Sequence, residues 1–190
     1  ELLERKTIPP IKDLLYKNIL NKNIFISGAG GSIGSEIARQ VIKYKANLIV
    51  LFEINEFFLY KIENEINSIK NSLNIETRII PILGNICDKK ILNKLFSTYN
   101  INTLYHTAAY KHVTLVEKNP LSGIYNNVFG TLNITQAAIE NKIDSFILIS
   151  TDKAVSPKSI MGKTKRITEI ITRSLSEISE NKNTIFSMVR

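Results

Sequence analysis

The fold is decided by residues 23–40, which read NIFISGAGGSIGSEIARQ. The apolar run at 23–27 predicts a buried strand, and the segment that follows residue 32 predicts an amphipathic helix. Between them, Gly28, Gly31 and Gly34 are spaced as GxxGxxG. A strand, a glycine-rich turn and a helix in this order predict a site for the phosphates of a dinucleotide, because the first amides of the helix face them.

The rest of the chain repeats this alternation. Short apolar runs predict six strands, at residues 23–27, 47–53, 77–83, 102–107, 145–150 and 184–189. Amphipathic segments predict helices near 32–45, 55–72, 88–99, 120–142 and 161–181. Runs such as LIVLF are apolar throughout, which is typical of strands covered on both faces. We therefore expect an α/β fold, a Rossmann-like doubly wound parallel sheet of about six strands with helices on both faces.

The chain divides into two parts of unequal length. Residues 1–22 contain Pro9 and Pro10, which prevent a continuous helix through that point. We expect this part to be a linker or leader segment packed against the domain. Residues 23–190 are long enough for one compact domain, which we expect to be an NAD-binding Rossmann domain.

Composition excludes several classes of function. The formal net charge is +8, but the lysines are spread along the chain without aromatic partners, so no nucleic-acid partner is predicted. The single Cys87 excludes an internal disulfide and a CxxC metal site, which fits a reducing cytoplasm and predicts no metal. No apolar run approaches the ~20 residues that span a bilayer.

The second predicted strand ends at Glu53, where a dinucleotide site places a carboxylate for the adenosine ribose hydroxyls. A carboxylate there repels a 2'-phosphate, so NAD is preferred over NADP. The alternative is an exposed acid at a strand end. Further cofactor contacts are predicted from the same turn, from the ends of the next two strands and from the helix that follows: Ser32, Ile33, Asn85, Ile86, Ala108, Ala109, Tyr110 and Asn127.

Two polar residues inside predicted elements are open to two interpretations. Asn127 is a poor helix former within the predicted helix 120–142, and it either braces the backbone of the site or marks a simple helix irregularity. His106, at the end of a strand, is interpreted as a structural histidine.

The chemistry is predicted to lie in residues 150–166, STDKAVSPKSIMGKTKR. Met161 and Lys165 are one helical turn apart and share a face. Short-chain dehydrogenases place a tyrosine where Met161 stands, and a thioether has no titratable proton to transfer. Asp152 and Lys153 offer an acid and a base at the mouth of the crevice. Their alternative interpretation is an exposed turn with two charged residues.

Five stretches together resemble the nucleotide-diphosphate-sugar 4,6-dehydratases: GAGGSIGSEIARQ, LFEINEFFLY, HTAAYKHVTLVEKNP, NNVFGTLNI and STDKAVSPKSIMGKTKR. More closely, they resemble the membrane-anchored UDP-N-acetylglucosamine 4,6-dehydratase group of polysaccharide and glycan biosynthesis. These enzymes are extended short-chain dehydrogenases in which methionine replaces the usual tyrosine. The resemblance implies an NAD-dependent lyase that makes a UDP-4-keto-6-deoxy sugar.

The resemblance also implies a role for each residue of the chemical segment. Lys153 is the base at C5 of the sugar, and Asp152 is the acid that assists loss of the C6 hydroxyl. Thr151 binds the C4 oxygen, Lys165 holds the nicotinamide ribose, and Met161 occupies the former tyrosine position. The group that accepts the C4 hydroxyl proton is left unassigned.

Other expectations concern the whole protein. Asn85 stands where the family commonly has an aspartate near the adenine. The resemblance implies a chain truncated at both ends, with the substrate-binding C-terminal part largely absent. It implies a cytoplasmic domain of a homo-oligomer that is anchored at the cytoplasmic face of the inner membrane. The alternatives are a nucleotide-sugar epimerase, a C5-inverting 4,6-dehydratase and a non-catalytic NAD-binding domain.

Overall fold

A computed structural model describes residues 11–178 and 183–190 of the chain. Six strands form one sheet in the order β3-β2-β1-β4-β5-β6, and all five pairings are parallel. The strands are β1 Asn23–Ser27, β2 Leu48–Glu53, β3 Arg78–Leu83, β4 Thr103–His106, β5 Ser145–Ile149 and β6 Ile185–Val189. This is the doubly wound Rossmann order, so the predicted fold class is confirmed.

Helices connect the strands. They are α1 Lys12–Ile19, α2 Ser32–Lys43, α3 Glu56–Ser72, α4 Lys89–Tyr99, α5 Val113–Lys118, α6 Pro120–Ile124, α7 Gly130–Glu140 and α8 Ile160–Glu177. A π-helical turn at Tyr125–Phe129 joins α6 to α7, and a 3-10 turn at Asp152–Ala154 follows β5. In the part of the chain that the structure describes, none of these helices combines the length and the apolar character needed to cross a membrane.

Successive side chains of β1 enter two different cores, one on each face of the sheet. Ile24 and Ile26 pack in the core that contains Ile42 of α2. Phe25, between them, packs in the other core, where its ring lies edge-on to Phe96 of α4 at 4.9 Å. Because both faces of the strand are buried, its sequence is apolar without alternation.

Three elements differ from the sequence prediction. The segment expected as a linker contains α1, whose Ile19 is buried, and the hydroxyl of Thr103 donates to the carbonyl of Asn18 at 3.1 Å. The helix predicted at 120–142 is divided by the π-helical turn, and α5 was not predicted. The part of the predicted linker at residues 1–10 and the predicted helix end at 179–181 lie outside the described residues.

Candidate active site

The glycine turn between β1 and α2 forms the floor of the site. Gly28 has φ +68°, a conformation that side chains disfavour, and a Cβ there would lie 2.8 Å from the backbone of Ala108. A Cβ on Gly34 would collide with the carbonyl oxygen of Gly28. At Gly31 the added Cβ would meet Gly28 O at 3.3 Å. The first and third glycines are therefore required by packing, whereas Gly31 faces the cleft.

The carboxylate of Glu53 is fixed by backbone amides. Its Oε2 accepts from the Gly30 amide at 3.0 Å, and its Oε1 accepts from the amides of Ile54 and Asn55 at 2.9 and 3.1 Å. The residue is 7% exposed and still lines the cleft beside the glycine turn. Glu53 is therefore a fixed anion in the cleft and not a loosely held acid at a strand end.

Three adjoining cavities follow the carboxyl edge of the sheet. The largest, of about 340 Å³, brings together most of the predicted cofactor residues: Gly28, Gly31, Ser32, Ile33, Gly34, Glu53, Ala108, Ala109 and Tyr110. A small cavity of about 30 Å³ adds Asn85 and Ile86 beside Glu53. The third, of about 280 Å³, joins Ile33 and Tyr110 to Thr151, Lys153, Met161 and Lys165. Because neighbouring cavities share lining residues, they form a row that extends from Glu53 to the chemical segment.

Asn127 holds the backbone of the site in place by hydrogen bonds. Its side-chain oxygen accepts from the Tyr110 amide at 2.7 Å, and its amide group donates to the Tyr110 carbonyl and to the Thr164 hydroxyl, both at 3.0 Å. Asn127 is 1% exposed and sits in the π-helical turn. These hydrogen bonds agree with the interpretation that Asn127 braces the backbone of the site. Asn127 is not among the residues that line the three cavities.

His106 is a structural residue in this geometry. Its Nδ1 lies 2.7 Å from the Ser27 hydroxyl and its Nε2 lies 2.9 Å from the Thr131 hydroxyl. Complete burial, with a further contribution from the charge of Lys165, lowers the pKa of His106 to about 3. The imidazole is therefore neutral at physiological pH.

Lys165 and Met161 lie on the inner face of α8. Met161 is buried and Lys165 is 7% exposed, yet both line the third cavity. The Lys165 ammonium donates to the Ile149 carbonyl at 2.6 Å. Burial lowers the pKa of Lys165 to about 8, although the nearby Glu169 opposes the shift. Lys165 is therefore a positioned cation with few solvent contacts.

Asp152 and Lys153 are exposed residues of the 3-10 turn beside this cavity, and the half-buried Thr151 caps the turn. The Thr151 hydroxyl donates to Asp152 Oδ1 at 2.8 Å, and the Lys153 ammonium lies 3.5 Å from the same oxygen. The hydrogen bond from Thr151 and the charge of Lys153 hold the pKa of Asp152 below its usual range. Asp152 is the one predicted catalytic residue of the described chain that does not line the cavity.

Several residues of the site were not identified from the sequence, among them Thr107, Lys111 and Gly162. Thr107 lines two of the cavities, and its hydroxyl donates to the Ser27 carbonyl at 2.7 Å. Lys111 lines the same cavities and donates to the Ser32 hydroxyl at 3.2 Å. A Cβ on Gly162 would lie 2.7 Å from the carbonyl oxygen of Lys153. The glycine therefore allows the turn that carries Asp152 and Lys153 to pack closely against α8. The position of Thr107 and Lys111 in the loop after β4 was the available signal.

The fold is the doubly wound Rossmann architecture, and its crevice lies at the carboxyl edge of the sheet, where proteins of this class bind dinucleotides. The chain belongs to the polysaccharide biosynthesis protein family, which it matches over residues 24–190.

Two curated relatives and one solved structure show how far this similarity extends. The chain is 38% identical to the capsular polysaccharide biosynthesis protein CapD of Staphylococcus aureus, over 100% of the chain and 31% of that protein. It is 31% identical to a UDP-N-acetylglucosamine 4,6-dehydratase (inverting) of Campylobacter jejuni, over 89% of the chain and 48% of that protein. The structure of Pen from Bacillus thuringiensis matches with a TM-score of 0.81 at 28% identity, over 90% of the chain and 50% of Pen. The chain thus spans half or less of each of these proteins.

Proposed function

We propose that the protein containing this chain is a nucleotide-sugar 4,6-dehydratase that converts UDP-N-acetylglucosamine to a UDP-4-keto-6-deoxy sugar. The observation that carries the proposal is the third cavity, where Lys153 and Thr151 stand beside Lys165 while the buried Met161 faces the same space. This arrangement offers a base and a hydroxyl near the cofactor crevice, with Met161 at the position where a short-chain dehydrogenase carries its tyrosine. An elimination needs such a base in addition to redox chemistry.

NAD fits the residues of the crevice. Oε2 of Glu53 accepts one amide and can accept a ribose hydroxyl as well, and the carboxylate repels a 2'-phosphate, which supports NAD over NADP. Gly31 and Ser32 would hold the pyrophosphate at the start of α2, Asn85 and Ile86 would flank the adenine, and Lys165 would hold the nicotinamide ribose. When bound, NAD supplies the acceptor for hydride from C4 and the donor for hydride to C6.

The hydrogen bond between Thr151 and Asp152 supports a route for the C4 hydroxyl proton. Asp152 begins as a carboxylate because its pKa is lowered, so it must gain a proton before it can act as an acid. In the proposed route, the C4 hydroxyl gives its proton to Thr151 Oγ1, which passes its own proton to Asp152 Oδ1 at 2.8 Å. Asp152 then protonates the C6 hydroxyl, which leaves as water.

Lys153 would first release the proton of its ammonium to solvent, then remove the proton from C5 and return it there after the C6 carbon has been reduced. The atoms balance, since the oxygen lost is that of C6 and the proton lost with it came from the C4 hydroxyl. A 4-epimerase only removes and returns hydrogen at C4, so a base directed at C5 favours the dehydratase over that alternative.

The organisation of the whole protein is also a proposal. Residues 23–190 would be its cofactor domain, residues 1–22 would lead into it, and the UDP-sugar would be bound largely by a part outside this chain. We further propose a homo-oligomer anchored at the cytoplasmic face of the inner membrane. The resemblance of the sequence motifs to the membrane-anchored group supports this arrangement.

The test is incubation of the full-length protein with UDP-N-acetylglucosamine and NAD, followed by mass spectrometry and NMR of the sugar nucleotide. The expected product has lost one water and carries a ketone at C4 and a methyl group at C5. The configuration at C5 in the NMR spectrum distinguishes a retaining from an inverting enzyme. A C4 epimer with unchanged mass, or bound NAD without conversion, would contradict the proposal.

A further inference from the structure

A second charged cluster lies behind the crevice, on the side of α8 that faces β5 and β6. Its centre is Glu169, whose side chain is 3% exposed. Both of its oxygens are occupied, because Oε1 accepts from the Ser150 hydroxyl at 2.7 Å and Oε2 accepts from Arg166 at 3.0 Å. Arg190 adds two parallel bonds at 2.9 Å, one to each oxygen.

The Glu169 carboxylate and Lys165 both form hydrogen bonds to the end of β5. Lys165 donates to the carbonyl of Ile149, and Glu169 accepts from the hydroxyl of Ser150, the next residue. Lys165 and Glu169 are one turn apart on α8, so their side chains are neighbours. The strand end that they hold leads directly into the turn that carries Lys153.

We propose that Glu169 is a positioning residue that holds Lys165 as a cation and fixes the end of β5 against α8. The inference rests on the function proposed above for Lys165, although its test requires neither substrate nor cofactor.

Electrostatics support the same role. Glu169 opposes the effect of burial on Lys165, while Arg190 and the other donors lower the pKa of Glu169 itself to about 2. The carboxylate is therefore charged at every pH at which Lys165 titrates. His106 of β4 also interacts with Lys165, and it stays neutral in this range because its pKa is about 3.

Removing the charge of Glu169 removes the attraction that opposes the effect of burial on Lys165, and it leaves Arg166 and Arg190 without the carboxylate that they pair with. Both changes favour the neutral amine. A residue that only tied β6 to α8 would change the stability of the fold without moving the titration of Lys165.

The test is brief acetylation of the ligand-free full-length protein with acetic anhydride across a pH series, with acetylation of Lys165 measured by peptide mass spectrometry. Lys158, which is exposed, gives an internal reference in the same samples. In Glu169→Gln we expect the Lys165 midpoint to fall by about one pH unit. Glu177→Gln, which breaks an exposed pair with Arg173 on the same helix, is the matched control and should leave the midpoint unchanged.

Two more variants keep the test decisive if Glu169→Gln does not fold. Glu169→Asp retains the charge and should keep the wild-type midpoint. Arg190→Gln removes a cation from the cluster and should move the midpoint upward, opposite to Glu169→Gln. A wild-type midpoint in folded Glu169→Gln, or in Arg190→Gln where Glu169→Gln does not fold, would overturn the inference. Because the readout uses no UDP-sugar, it is independent of whether the protein proves to be a dehydratase.

Discussion

The two ends of the crevice are built differently. At the end that holds Glu53, the site is made of backbone: amides fix the carboxylate, and Gly28 and Gly34 let chain segments approach closely. At the other end, Asp152 and Lys153 are exposed side chains on a short turn. The first end is held by backbone contacts, whereas the second depends on exposed side chains. We therefore expect substitutions to act on cofactor binding or fold at the first end and on turnover at the second.

The largest effect of a substitution is expected on turnover, at the end of the crevice that carries Asp152 and Lys153. Lys153→Ala should lower formation of the 4-keto product by about a thousandfold, as expected for loss of a general base, while leaving the affinity for NAD unchanged. Product formation and calorimetric titration of NAD measure the two effects. Lys158→Ala, an exposed lysine of the same loop, is the control. Near-normal turnover of Lys153→Ala would remove the base from the proposed mechanism.

Substitutions of Gly31 and Gly34 test the end of the crevice that is made of backbone. In Gly34→Ala the new methyl group overlaps the Gly28 carbonyl, so the free energy of unfolding should fall by about 3 kcal/mol. Gly31→Ala should fold almost normally, because its Cβ meets Gly28 O at 3.3 Å, but it should bind NAD poorly since the methyl group enters the cleft. Urea denaturation and NAD titration separate the two. Equal behaviour of the variants would contradict the distinct roles given to these glycines.

His106 is buried, and we expect its protonation in acid to lower the stability of the fold. Its folded pKa of about 3 is below the ordinary value of 6.5, so the unfolded chain binds a proton first as the pH falls. This contribution to stability is complete above pH 6.5 and is lost as the pH falls towards 3.

Between pH 7 and 4.5, the wild type should therefore lose about 2 kcal/mol more stability than His106→Gln. Urea denaturation of both proteins at the two pH values provides the measurement. An identical loss in both proteins would show that the imidazole is not held neutral.

The smallest effect is expected on the affinity for NAD when Glu53 is substituted. Glu53→Gln keeps an acceptor but loses the charge, so the affinity for NAD should fall about tenfold while NADP binds no worse. Titration with both cofactors measures the ratio. Glu56→Gln, three residues later and exposed, is the control. If NAD and NADP lost affinity equally, the carboxylate would have no part in the choice of cofactor.

The sequence predicted the six strands of a doubly wound sheet and the crevice because their signals are local patterns. Continuous apolar runs identify buried parallel strands, and the glycine spacing identifies the turn between Ser27 and Ser32. The network of Glu169 could not be predicted, since Ser150, Arg166 and Arg190 meet it only through the packing of α8 against two strands. The π-helical turn around Asn127 was foreseen only as poor helix formers, because the contacts that Asn127 makes there, with Tyr110 and Thr164, are distant in sequence.

The most direct test of the central proposal follows one hydrogen atom. UDP-N-acetylglucosamine labelled with deuterium at C4 is converted by the full-length protein, and the product is examined by NMR. The dehydratase mechanism predicts deuterium in the C6 methyl group of a 4-keto product, transferred within the same molecule. Deuterium retained at C4 of an epimerised sugar, or labelled substrate recovered unchanged, would contradict it.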